Sequence, residues 1–169
     1  MSLHKVRQEA VDWAKTALAA TFGSRVYDRF FPVLDLENAS AMGNQFPALV
    51  VSLPSQDFDL HLDGVTGIQI LRVDFEVVGL VRPSRLYSPS EAVRAAEVTN
   101  LRATDDAAAA LVSALVSLGT SAPINNWQGA GFRLASVALE STSEQDDPAD
   151  APDARYISTT VTAVFTTQT

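Results

Sequence analysis

The sequence predicts an α+β domain: a mostly antiparallel sheet of about five to six strands, with an N-terminal helix and one long or two short central helices packed on it. Three observations predict it. Apolar residues recur at helical spacing near the N-terminus and again in the middle of the chain. Two-residue alternation marks the segments between and after them. The order is helix, strands, helix, strands, which suits helices laid on one face of a sheet rather than a βαβ array. With 169 residues, 47% of them hydrophobic, the chain suits one domain with a real core, residues 1–169.

Taking the elements in order, residues 3–21 read as a helix, because Leu3, Val6, Ala10, Trp13 and Ala17 form a stripe at spacings of three and four. Gly23 is its stop. Residues 25–27 form a short strand before Phe31-Pro32, and 35–45, rich in Asn, Ser, Gly and Gln, read as a loop. Phe46-Pro47 opens a strand over 48–53 that Pro54 closes. Residues 57–62 alternate, with Phe58, Leu60 and Leu62 on one face and Asp57, Asp59 and His61 on the other.

Residues 68–79 carry the clearest strand. Leu71, Val73, Phe75 and Val77 face a core, and Arg72, Asp74 and Glu76 face water or a partner. Ser88-Pro89-Ser90-Glu91 starts a helix: Ser88 caps, Pro89 suits the first helical position, and Glu91 completes a capping box. That helix runs to about Leu101. Thr104-Asp105-Asp106 reads as a second start, with acids in a first turn, so 89–118 is one long helix or two. Leu111, Leu115 and Leu118 supply the apolar stripe, and Gly119 ends it. Residues 119–131 read as a loop. Strands follow over 132–141 and 155–167. Between them, 144–154 holds Glu144, Asp146, Asp147, Asp150 and Asp153 with two prolines, and is expected to be a hairpin tip available for docking.

The chemistry-bearing signals are sparse. The net charge is −8 with only 12 basic residues, scattered along the chain, which disfavours a grip on nucleic acid. There are no cysteines, which excludes disulfides, thiolate metal sites and thiol catalysis. The N-terminal ten residues carry His4, Lys5, Arg7 and Glu9 where a signal peptide needs an apolar core. No apolar run approaches the ~20 residues of a membrane helix. The Asp57, Asp59, His61, Asp63 series places ligand types roughly 7 Å apart along one strand. That spacing is too long for one ion without ligands from elsewhere, so the series reads as a solvated or inter-subunit face. The acids of 144–154 lack the glycine and closing Glu of a calcium loop. Gly129-Ala130-Gly131 precedes a strand, not a helix, and so is no dinucleotide fingerprint. Trp13 and Trp127 read as core or interface anchors.

Residues 3–167 resemble bacteriophage tail terminator (tail completion, head-tail joining) proteins. The resemblance rests on the leading helix, Arg25-Val26-Tyr27 before a Pro-containing loop, and Phe46-Pro47-Ala48-Leu49-Val50-Val51. It continues through Leu62-Asp63-Gly64, the long strand over 68–78, the helix opened by Ser90-Glu91-Ala92, the strand over 133–140, an acidic loop and a closing strand from Tyr156. The departure is length, since 101–131 exceeds one helix and a short turn. The resemblance implies a structural virion protein synthesised in the host cytoplasm, with no catalysis and no cofactor. It implies a ring, a hexamer, at the head-proximal end of the tail tube. The partners implied are other copies, the major tail tube protein and the head-tail connector or head-closure protein, with DNA only as passing cargo and no membrane. Arg72, Asp74 and Glu76 then suit a subunit interface. The alternatives are another neck component, such as a head-closure protein or connector adaptor, and a small hydrolase or ligand-binding protein using the Asp57–His61 face.

Overall fold

The computed structural model describes residues 3–28, 45–52, 70–82, 91–120, 132–146 and 155–167. Among these, the helices are α1 (Leu3–Ala17), α2 (Ala19–Phe22) and α3 (Glu91–Thr120). The strands are β1 (Val26–Asp28), β2 (Ala48–Ser52), β3 (Ile70–Arg82), β4 (Phe132–Asp146) and β5 (Arg155–Thr167). They make a five-stranded sheet in the order β1-β2-β3-β5-β4. Every neighbouring pair is antiparallel except β1 and β2, which run parallel. The expected α+β class and mostly antiparallel sheet are therefore present. The strand expected over 57–62 and the Ser88 cap lie outside the described residues.

One face of the sheet carries the core. Leu49 and Val51 of β2, Val73, Phe75 and Val77 of β3, and Val161, Ala163 and Phe165 of β5 are each 1% exposed or less. Alternation puts these residues on one side because successive side chains point to opposite faces. Of the four residues expected in the β3 core, Val73, Phe75 and Val77 are buried; the side chain of Leu71 is not among those described. From α3, Leu111, Leu115 and Leu118 enter the same cluster, as their spacing predicts, together with Ala107 and Ala108. From α1, Ala10, Val11 and Ala14 do so. Trp13 meets Phe75 edge to face at a centroid distance of 5.9 Å.

Several boundaries differ from the sequence reading. The single helix expected over 3–21 breaks at Leu18, whose backbone leaves helical geometry. The turn places both Leu18 and Phe22 in the core, and Gly23 ends it at φ 56, a conformation cheap only for glycine. The buried stripe accordingly runs through Ala10, Ala14 and Leu18, and Ala17 is exposed.

The central helix is one unbroken element of 30 residues, and it passes Gly119 by one residue. Thr104 does not cap a second helix. Its hydroxyl donates to the Asn100 carbonyl one turn back, at 3.0 Å, so the side chain that would have capped a new start bonds within the continuing helix.

Strand β4 runs to Asp146 rather than stopping near residue 141. Its extension is held by β5, with Glu144 opposite Ile157, Gln145 opposite Tyr156 and Asp146 opposite Arg155. Strand β3 likewise continues beyond 79 to Arg82, where its register against β5 shifts between Leu80 and Arg82.

Candidate functional site

The face of the sheet away from the helices carries Arg72, Asp74 and Glu76, as alternation along β3 requires. Their partners in register on β5 are Val164, Thr162 and Thr160. Arg72 and Asp74 pair inside the subunit, and Glu76 is held by a hydroxyl. The Arg72 Nε–H donates to Asp74 Oδ1 at 3.3 Å, and the Thr162 hydroxyl donates to the same oxygen at 2.7 Å. Arg72 Nη2 reaches Thr162 Oγ1 at 3.3 Å. Two residues along, the Ser158 hydroxyl donates to the Glu76 carboxylate. Thr162 and Ser158 are buried even though they face outward, because the longer side chains of β3 lie across them. The result is a polar ladder on a rigid central strand pair, with carboxylates held by hydroxyls and a guanidinium.

Only part of the segment expected as an acidic docking loop, 144–154, lies among the described residues. Glu144 and Asp146 belong to β4 and are paired in register with β5. Asp147, Asp150 and Asp153 lie outside the described residues, as do the Asp57–Asp63 series, Trp127 and Gly129–Gly131. Trp13 is a core anchor, packed on the buried cluster. Among the described residues no group of three or more His, Asp or Glu is placed to hold a metal ion. No helix among them is long and apolar enough to cross a membrane.

Three features escape sequence reading. Arg25 joins separate elements: its Nε–H donates to the Phe22 carbonyl at 2.9 Å and Nη2 to that of Thr21 at 3.2 Å, while Nη1 reaches the Phe46 carbonyl at 2.9 Å. One guanidinium therefore caps α2 and holds the entrance to β2, as its fork of donors allows. The second feature is the seating of α3 on β3. Asn100 Nδ2 donates to the Val81 carbonyl at 3.1 Å, and Thr104, 1% exposed, presses on Gly79.

The third feature is what α3 leaves uncovered. Before Thr104, Ala92, Arg94, Ala95, Ala96, Val98, Thr99, Arg102 and Ala103 are all exposed. After it, a cleft of about 450 Å³ opens between α3 and the β4–β5 pair, lined by Asp105, Ala108, Ala109, Val112, Leu139 and Thr159 among others. Leu139 stands opposite Val161 in register, on the helix side of the sheet, yet it is 63% exposed.

In a comparison with solved structures, the chain is similar to a chain of the virion of a native gene transfer agent particle. The two are 18% identical with a TM-score of 0.42, over 98% of each chain. No protein-family model matches the sequence, and no curated protein matches it.

Proposed function

We propose that this chain is a structural virion protein of the tail terminator kind. It forms a ring at the head-proximal end of a phage tail tube, ends tube polymerisation and joins the tail to the head connector. The observation that carries the reading is the order of elements. A leading helix, a short strand, a strand entered through Phe46-Pro47, a long two-faced strand, a central helix and a closing hairpin follow one another as the resemblance implies. The resemblance supplies six-fold symmetry, and the partners are the tail tube protein on one side and the connector or head-closure protein on the other.

The surface chemistry supports this reading. The polar ladder of Arg72, Asp74 and Glu76 is a contact face on which Arg72 pairs with Asp74 and hydroxyls hold both carboxylates, and the charge of Glu76 remains for a cation of the neighbour to match. A net charge of −8 per copy favours a lumen through which DNA slides without being held. The role is assembly, without catalysis or cofactor.

The test is electron microscopy of the purified protein and of particles made without it. The reading expects rings at the tail–head junction in complete particles, and overlong or irregular tails in its absence. Tails of normal length that fail to join heads would assign the chain to a connector or closure role instead.

A further inference from the structure

We infer that the ring closes head to tail through α3: the exposed N-terminal half of α3 in one copy seats in the cleft between α3 and β4–β5 of the next. The inference rests on the ring reading above and adds the lateral contact to it.

The donor surface is the part of α3 before Thr104. It is about three turns long, a length that is marginal for an isolated helix in water, and most of its residues with described side chains are exposed. Val98, 46% exposed, sits at its middle. Arg94 and Arg102 lie one turn to either side of Val98, and residues four apart share a helix face. The donor is therefore an apolar ridge bracketed by two cations.

The acceptor is the cleft. Its lining includes the small Ala108 and Ala109, the apolar Val112 and Leu139, and Asp105, with the exposed Asp106 next to it in the helix. Its volume takes a ridge of side chains rather than a whole helix. Between chains of net charge −8, contact is opposed overall. A lateral interface must therefore match opposite charges locally, and Arg94 of one copy against Asp105 and Asp106 of the next does so; Arg102 already lies within one turn of those acids on its own helix.

The occupant is a second copy: the ring reading calls for a lateral contact between copies, the charges match between them, and the donor cannot reach the cleft of its own chain. Val98 and Val112 lie on one unbroken helix, about 21 Å apart at 1.5 Å per residue. Two different patches meeting in this way make a heterologous contact, which closes into a ring when the rotation allows.

The absence of cysteine in the chain makes the contact measurable. Under mild oxidation, a mixture of Val98→Cys and Leu139→Cys chains is expected to give a covalent dimer, with much less from either variant alone. The double variant Val98→Cys/Leu139→Cys is expected to give a ladder extending past the dimer. An internal bond is excluded by reach, since a disulfide requires α-carbons within about 7 Å. Val98→Asp, at an exposed site, is expected to melt normally and to need at least tenfold more protein to assemble.

A ladder that stops at two would mean a two-fold contact and overturn the inference. Rings of the wild-type protein by microscopy, with no cross-link from the cysteine variants, would overturn the interface and leave the ring reading standing. A full ladder from the double variant, with the wild-type protein forming open filaments, would support the interface and overturn ring closure. Monomers throughout, in solution and at the tail junction, would overturn both.

Discussion

Gly79 of β3 and Thr104 of α3 touch so closely that a methyl group cannot come between them: a Cβ on Gly79 would lie 1.8 Å from Thr104 Oγ1 and 2.8 Å from both its Cβ and its Cγ2. The approach fixes how near the long helix comes to the central strand. With Asn100 bonded to the Val81 carbonyl on the preceding turn, it seats α3 on the end of β3 at two points.

Gly79→Ala is expected to destabilise the fold at or above the upper end of the ~1–3 kcal/mol typical of overpacking, because the atoms it meets belong to a short side chain on a helix. Thr104→Ala removes two of the three clashing atoms, so the double variant should recover part of the loss. Denaturant midpoints for the four proteins decide it, and an unchanged midpoint for Gly79→Ala would reject the contact.

Phe75→Ala is expected to cost about 3–5 kcal/mol. The ring is 0% exposed and takes the edge-to-face contact with Trp13. Near-ultraviolet circular dichroism should lose the aromatic signal of that pair along with the drop in melting temperature.

Arg25→Lys is expected to be nearly as damaging as Arg25→Ala, because an ammonium cannot serve the carbonyls of Thr21, Phe22 and Phe46 together. The loss should be roughly 1.5–3 kcal/mol, the range for hydrogen bonds to charged groups. A lysine variant with wild-type stability in urea would show that charge alone suffices there.

Thr162→Val tests the polar ladder. It removes the donor to Asp74 and the acceptor for Arg72 at a position 2% exposed, and should cost about 1–3 kcal/mol. If chemical unfolding is unaffected, water or Arg72 replaces the hydroxyl and the ladder adds no stability.

Replacing residues 147–154 by a short Gly-Ser turn tests the acidic tip as a docking element. Glu144 and Asp146 are kept because they are paired in β4. The subunit should melt normally, while tails fail to join heads or grow to irregular lengths. Normal yields of infectious particles would mean that the tip is idle.

Features that depend on the period of a single element are legible in the residues alone. Alternation over 68–79 sorted Val73, Phe75 and Val77 from Arg72, Asp74 and Glu76, because a strand side chain's face follows from its position in the strand alone. The spacing of Leu111, Leu115 and Leu118 named the buried side of α3 for the same reason, and Gly23 marked the end of the first helical segment because few other residues take its backbone angle. Tertiary structure decided everything that depends on a partner far along the chain. Thr104 has the local chemistry of a cap, and only its burial against Gly79 makes it an interior residue of one helix. The acids at 144 and 146 have the composition of a loop, and only pairing with β5 makes them strand. Arg25 reaches a carbonyl 21 residues away, and β1 lies parallel to β2, through hydrogen bonds that no local pattern encodes. The cleft beside Leu139 is of the same kind: it lies between α3 and the β4–β5 pair, and their relative placement is set by the core they share.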